Sequence, residues 1–136
     1  MAHGPTTIPF LRYADAPAAI RFLVEAFGFE EKLVVPGEDG KIAHAELTFG
    51  NGMVMLGSER DEGIPVRSPK DQGGANQGVY IVVADPDALY ERAKRAGART
   101  EMKPSDTEYG SRDFIVRDPE GNIWSFGTYD PFAPGS

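Results

Sequence analysis

The chain has no cysteine. That excludes a disulfide framework, a thiolate nucleophile and any zinc site built on thiolates. Histidine is nearly as scarce, with only His3 and His44, so a centre needing several imidazole ligands has little to draw on. Basic residues are outnumbered: 14 Lys and Arg face 21 Asp and Glu, a net charge of −7 over 136 residues. Such a balance argues against nucleic acid and anionic membrane surfaces as partners and is compatible with a cationic ligand. Long apolar runs are missing too; Val79 to Ala84 is among the longest, far short of the roughly 20 residues a membrane span needs. Met1 to Pro9 has neither a basic start nor a long apolar centre, so a cytoplasmic location is expected. There is no Walker loop, no G-x-G-x-x-G behind a strand and no G-x-S-x-G around Ser111 or Ser125. Phosphate-cradling and serine-hydrolase chemistry therefore have no motif to stand on, and no cofactor is expected.

What is present is ordinary in amount and regular in arrangement. Hydrophobic residues make up 40% and charged residues 26%, which suits one soluble domain. The stretch Tyr109 to Tyr129 reads as a β-hairpin. Phe114 to Val116 and Ile123 to Phe126 are its strands, and Asp118-Pro119-Glu120-Gly121-Asn122 is a turn in which Pro119 presets φ and Gly121 accepts a positive one. About seventy residues earlier comes an echo, Phe49-Gly50-Asn51-Gly52-Met53, also flanked by apolar strands. At nearly the same offset Gly97 answers Gly28 as a helix stop, and Asp85 answers Asp15 as a helix cap. Three kinds of punctuation recurring at one spacing point to an internal duplication.

In order, the pattern predicts a strand over Thr6–Tyr13 and a helix from Asp15 to Gly28, with Ile20, Leu23, Val24 and Phe27 at helical spacing. Strands follow at 29–35, 42–49 and 53–57. Residues 59–77 are rich in Gly, Pro and charge and read as a surface linker. The second half repeats the plan, with a strand at 78–84, a helix from Asp85 to Gly97, a short strand at 98–103, a loop at 104–108 and the closing hairpin. One domain of two βαβββ modules is expected, 6–58 and 78–129, joined by linker 59–77.

Two βαβββ modules, Gly28-Phe29 behind the first helix and the closing DPEGNIWSF resemble the vicinal oxygen chelate superfamily of glyoxalases, extradiol dioxygenases and the fosfomycin-, bleomycin- and mitomycin-resistance proteins. The resemblance covers roughly residues 6 to 129 and implies an α+β fold in which the modules form a curved, partly open mixed sheet. In metal-dependent members, the first strand of each half supplies a ligand, usually His, and the last strand another, usually Glu. Aligned on Asp15, Asp85 and Gly121, those positions are Ile8, Val79, Leu56 and Ser125, none of which can hold a divalent cation by its side chain. The resemblance therefore points to the metal-free branch, a cytoplasmic homodimer that sequesters a small molecule without turnover, as in antibiotic resistance.

Strand alternation assigns a cavity face. Its apolar members are Ile8, Phe10, Leu56, Val79, Ile81 and Ile115. Its polar members are Arg12, His44, Glu46, Thr48, Asp113 and Ser125. An apolar wall with a few polar groups suits a small-molecule pocket. Trp124 falls on the opposite, helix-packing side with Phe126, while Tyr109 and Arg112 precede the hairpin and could rim the pocket. The alternative is a metal-dependent lyase, transferase or dioxygenase with a site of its own at His44 and Glu46, which share a strand face, and Glu59 or Asp113 as a third ligand.

Overall fold

A computed structural model of the chain describes residues 4–61 and 66–134. Strands β1 (Phe10–Tyr13), β2 (Glu30–Pro36), β3 (Ile42–Phe49) and β4 (Gly52–Ser58) form one four-stranded sheet in the order β1-β4-β3-β2. A second sheet contains β5 (Gly78–Val82), β6 (Arg99–Asp106), β7 (Arg112–Arg117) and β8 (Ile123–Gly127), in the order β5-β8-β7-β6. In each, the first strand runs parallel to the last and the other pairs are antiparallel. The α+β fold is thus two open, mixed four-stranded sheets, one per module.

The duplication extends to the helix caps. Helix α1 (Ala16–Phe22) starts at Asp15, whose carboxylate accepts from the Ala18 N–H at 3.1 Å. The later helix, α3 (Pro86–Arg95), starts at Asp85, which accepts from Ala88 N–H, also at 3.1 Å. The two caps share a backbone conformation, φ −123°, ψ 80° against φ −129°, ψ 80°. Gly28 and Gly97 both leave their helices at positive φ, the conformation an L side chain resists. The correspondence is looser at the hairpins: the positive-φ residue of the first turn is Gly50, whereas Gly52 begins β4.

Three segments differ from the expected boundaries. Pairing of β1 begins at Phe10, with the Pro9 carbonyl accepting from the Met55 N–H at 2.9 Å, so residues 6–8 lie outside the ladder. Strand β6 runs on through Pro104 to Asp106, where a loop was expected. Pro104 is tolerated because β6 is an edge strand with register breaks on both sides of Met102, so no ladder N–H is lost. Within the linker, Ser68-Pro69-Lys70-Asp71-Gln72-Gly73 forms a short helix α2 (Pro69–Gln72), capped by Ser68 and stopped by Gly73 at positive φ.

The core lies where the helices meet one face of each sheet. Ala45, Leu47 and Leu56 from the first sheet and Phe114, Val116, Trp124 and Phe126 from the second are all essentially inaccessible. Phe27, at the end of the first helical segment, packs on Phe126 and Trp124 of the other module with ring centroids 4.9 and 5.4 Å apart. The modules therefore share one core, and Trp124 is its anchor, as alternation predicts. Their other faces are open.

Candidate functional site

Directly paired strand residues share a face, so the ladders state what each open face carries. On the first sheet one row runs Phe10, Met55, Glu46, Leu33. On the second the row 69 or 70 residues later runs Tyr80, Ser125, Ile115, Met102. The next rows place Arg12 beside Gly57 and Val82 beside Gly127, with Asp113 following.

This register sorts the expected cavity residues. Phe10, Arg12, His44, Glu46, Thr48, Asp113 and Ser125 lie on the open faces. Leu56, Val79 and Ile81 do not: they pair with Ala45, Trp124 and Phe126 on the core side. The cause is an offset of one residue in aligning Leu56 and Val79 with their counterparts, and a one-residue shift turns a strand side chain to the other face. Thr48 sits with Glu30 and Gly50 at the far end of β3. Arg112 is taken up elsewhere, in ion pairs with Asp87 at 2.7 Å and Asp106 at 3.1 Å that raise its own pKa further.

The first open face pairs its cations and anions sparingly. His44 Nε2 lies 2.9 Å from Glu46 Oε2. The Arg12 guanidinium crosses Gly57, where a Cβ would come within 2.7 Å of Nη1, and lies over the Phe10 ring at 5.8 Å. Burial, then the nearby Arg60, lowers its pKa, and among the described residues it has no ion-pair partner.

The second open face centres on Asp113, a carboxylate only 8% exposed. It accepts hydrogen bonds from Ser111 Oγ and, at 3.3 Å, Tyr109 O–H, and has no basic partner among the described residues. Tyr80 donates to the Tyr129 carbonyl at 2.8 Å, and Tyr109 meets Tyr129 edge-on with centroids 5.7 Å apart. Burial, and after it the charge of Asp113, raises the pKa of Tyr80. Gly127 is needed under this cluster, since a Cβ there would strike the Asp113 carboxylate and come within 2.6 Å of the Tyr80 hydroxyl. Sequence reasoning missed Tyr80 and Tyr129. The available signal for Tyr80 was the offset, which makes it the counterpart of Phe10.

The donor set does not suit a metal. Replacing Leu56 by Met55 and Val79 by Tyr80 in the corrected register still offers no His or Glu. Glu59 is spent on the linker, accepting from the Ser68 N–H at 2.6 Å, and Asp113 belongs to the other sheet. Among the described residues no three of His, Cys, Asp and Glu gather as metal ligands.

A profile of the Glyoxalase/Bleomycin resistance protein/Dioxygenase superfamily matches residues 6–126. The chain belongs to this superfamily. An uncharacterized protein of Mycobacterium bovis is 38% identical over 125 residues, 90% of this chain and 82% of its own length. The crystal structure of TioX from Micromonospora sp. ML1 superposes with a TM-score of 0.72 at 32% identity, covering 93% of this chain and 98% of TioX. FosX, a fosfomycin resistance protein of Listeria monocytogenes solved with Mn(II) and a dihydroxypropylphosphonic acid, matches with a TM-score of 0.70 over 96% of this chain and 94% of its own, but at 14% identity shares only the fold. Superfamily membership thus fixes the architecture and leaves the chemistry to the residues. No helix among the described residues is long and apolar enough to cross a membrane.

Proposed function

We propose that this superfamily member is a metal-free small-molecule-binding protein that sequesters its ligand without turnover, between the open face of one copy and that of a second. The observation that carries the reading is a pair of open faces that are apolar and electrically unfinished. Phe10, Leu33 and Val35 stand exposed on the first, and Tyr80, Val82 and Tyr109 on the second; clustered apolar surface of this kind marks a binding or association face. Among the described residues Arg12 on the first and Asp113 on the second have no ion-pair partner, so these two groups complement each other in charge across the faces. A homodimer that sets the first face of one copy against the second face of its mate would enclose a ligand between them.

The ligand class favoured is an aromatic cation. Three tyrosine rings around a buried carboxylate offer π faces with a negative charge behind them, and such sites attract ammonium and guanidinium groups. Tyr109 donates toward Asp113, which enriches its ring in electron density. Among the described residues no third ligand stands beside His44 and Glu46, which favours this reading over metal-dependent turnover.

The test is calorimetric titration of chelator-treated protein with cationic aromatic natural products and their neutral analogues. One cation per subunit should bind and be recovered unchanged by mass spectrometry. Asp113→Asn should weaken it about tenfold, and Glu46→Gln should weaken it more than Glu101→Gln, which lies on the exposed edge. Stoichiometric metal in protein purified without chelator and lost on His44→Ala, or conversion of the ligand, would overturn the proposal.

A further inference from the structure

A cavity of about 370 Å³ lies along the seam between the modules, where α2 and residues 75–77 cover β1, β5 and the start of β8. Leu11, Val79, Ile123 and Trp124 line its apolar side. The volume is within the range of small-molecule sites, roughly 300 to 1,000 Å³.

The polar side is one-sided in its chemistry. It carries two arginines, Arg12 and Arg67, and four side-chain amides, Gln72, Asn76, Gln77 and Asn122, and among the described residues not one carboxylate. In a chain with seven more acids than bases, a lining without a single acid is a local reversal of charge. Arg67 is held by Asp61 at 2.8 Å, which leaves Arg12 as the uncompensated cation. Asn122 adds a second, independent sign. It is nine-tenths buried, and although it lies near the Tyr13 phenol, its Nδ2 meets no acceptor in hydrogen-bonding geometry. Leaving a buried donor without an acceptor is costly, so folded chains keep few of them.

We infer that the seam cavity is a second binding site, for a small organic carboxylate with an apolar body. Its acid group is recognised by Arg12, whose planar fork matches a carboxylate. An acceptor oxygen satisfies Asn122 Nδ2, and the body lies against Leu11, Val79 and Ile123, with Trp124 buried behind them. The cavity shares Phe10 and Arg12 with the edge of the first open face but takes a ligand of the opposite charge, and Ala75→Trp, which alters only the segment covering the cavity, separates this inference from the proposed function.

Titration with 3-phenylpropionate and octanoate, read by calorimetry and by emission of the single tryptophan, Trp124, tests the inference. Saturable binding of one acid per chain with a change in Trp124 emission is expected, while 3-phenylpropylamine and inorganic phosphate give none. Arg12→Gln should weaken the acid about tenfold, and Asn122→Ala several-fold. Ala75→Trp, in the covering segment, should abolish binding by filling the space, and it keeps the test decisive should Asn122→Ala unfold. Absence of saturation up to about 10 mM, equal binding of the amine, or unchanged affinity in Arg12→Gln and Ala75→Trp would overturn the inference.

Discussion

At the scale of single residues, Asp118 ties the two modules together. Its carboxylate is 1% exposed and accepts four hydrogen bonds: from the Tyr13 hydroxyl at 2.6 Å, the Trp124 indole at 3.1 Å and the backbone N–H groups of Glu120 and Asn122. Tyr13 belongs to the first module, so one carboxylate fixes the hairpin turn, anchors the core tryptophan and reaches across the seam. Glu120, two residues on, accepts from the backbone N–H groups of Ala14 and Asp15 at 2.7 and 2.8 Å. Removing one donor from a buried charged acceptor costs about 1.5–3 kcal/mol. With three donors left, Tyr13→Phe should fall near the lower end in urea denaturation. Burial, then the charge of Asp118, raises the Tyr13 pKa well above its usual value. Unfolded tyrosine ionises near pH 10 while folded Tyr13 keeps its proton, so the native state binds more protons above that pH. Its contribution is complete below about pH 10 and declines above it, and Tyr13→Phe should flatten the alkaline loss of stability. An unchanged alkaline limb would refute the assignment.

At the scale of elements, the junction between the helices decides how the modules dock. Helix α1 widens after Phe22 into a π-helical turn, Leu23–Phe27, which delivers Phe27 to β8. The turn closes on Gly28 at φ 88°, with Gly28 and Phe29 N–H groups donating to the Val24 and Leu23 carbonyls. Arg92 of α3 then donates to the carbonyls of Val24 and Glu25 at 3.2 and 2.9 Å, a cation from one module capping the helix end of the other. Gly28→Ala is expected to cost about 1–3 kcal/mol, from the left-handed backbone and from a Cβ 3.1 Å from Arg92 Nη1. Arg92→Ala should cost about 1 kcal/mol, and the pair should be non-additive in a double-mutant cycle because both act on one contact. The helix and its stop were legible in the spacing of Ile20, Leu23, Val24 and Phe27; the π turn was not, since apolar spacings of four and five residues overlap. Helix α2 was missed although Ser68-Pro69 and Gly73-Gly74 are cap and stop signals, because the composition around them is that of a linker.

At the scale of the whole molecule, exposed Phe10, Leu33, Val35, Tyr80 and Val82 leave both open faces unfinished for a solitary chain. Sedimentation at micromolar concentration should show two subunits per particle, and Val82→Asp should raise the dissociation constant by about tenfold or more. A monomer at hundreds of micromolar would remove the shared-site geometry and leave the seam cavity untouched.

The duplication, the helix caps, the hairpin and the order of elements were written in the sequence, because caps, turns and alternation are local. Asp15 and Asp85, Gly28 and Gly97 carry their meaning within a few residues of themselves. The poverty in cysteine and histidine likewise restricted the metal chemistry before any fold was considered. Which face Leu56, Val79 and Ile81 occupy was settled only by pairing with strands far along the chain, where one residue of register reverses inside and outside. The same holds for Asp118 meeting Tyr13, for the tyrosines gathered at Asp113 and for the acid-free cavity at the seam. Each joins residues from distant or alternate positions, and only the packing of two modules on one core brings them within reach.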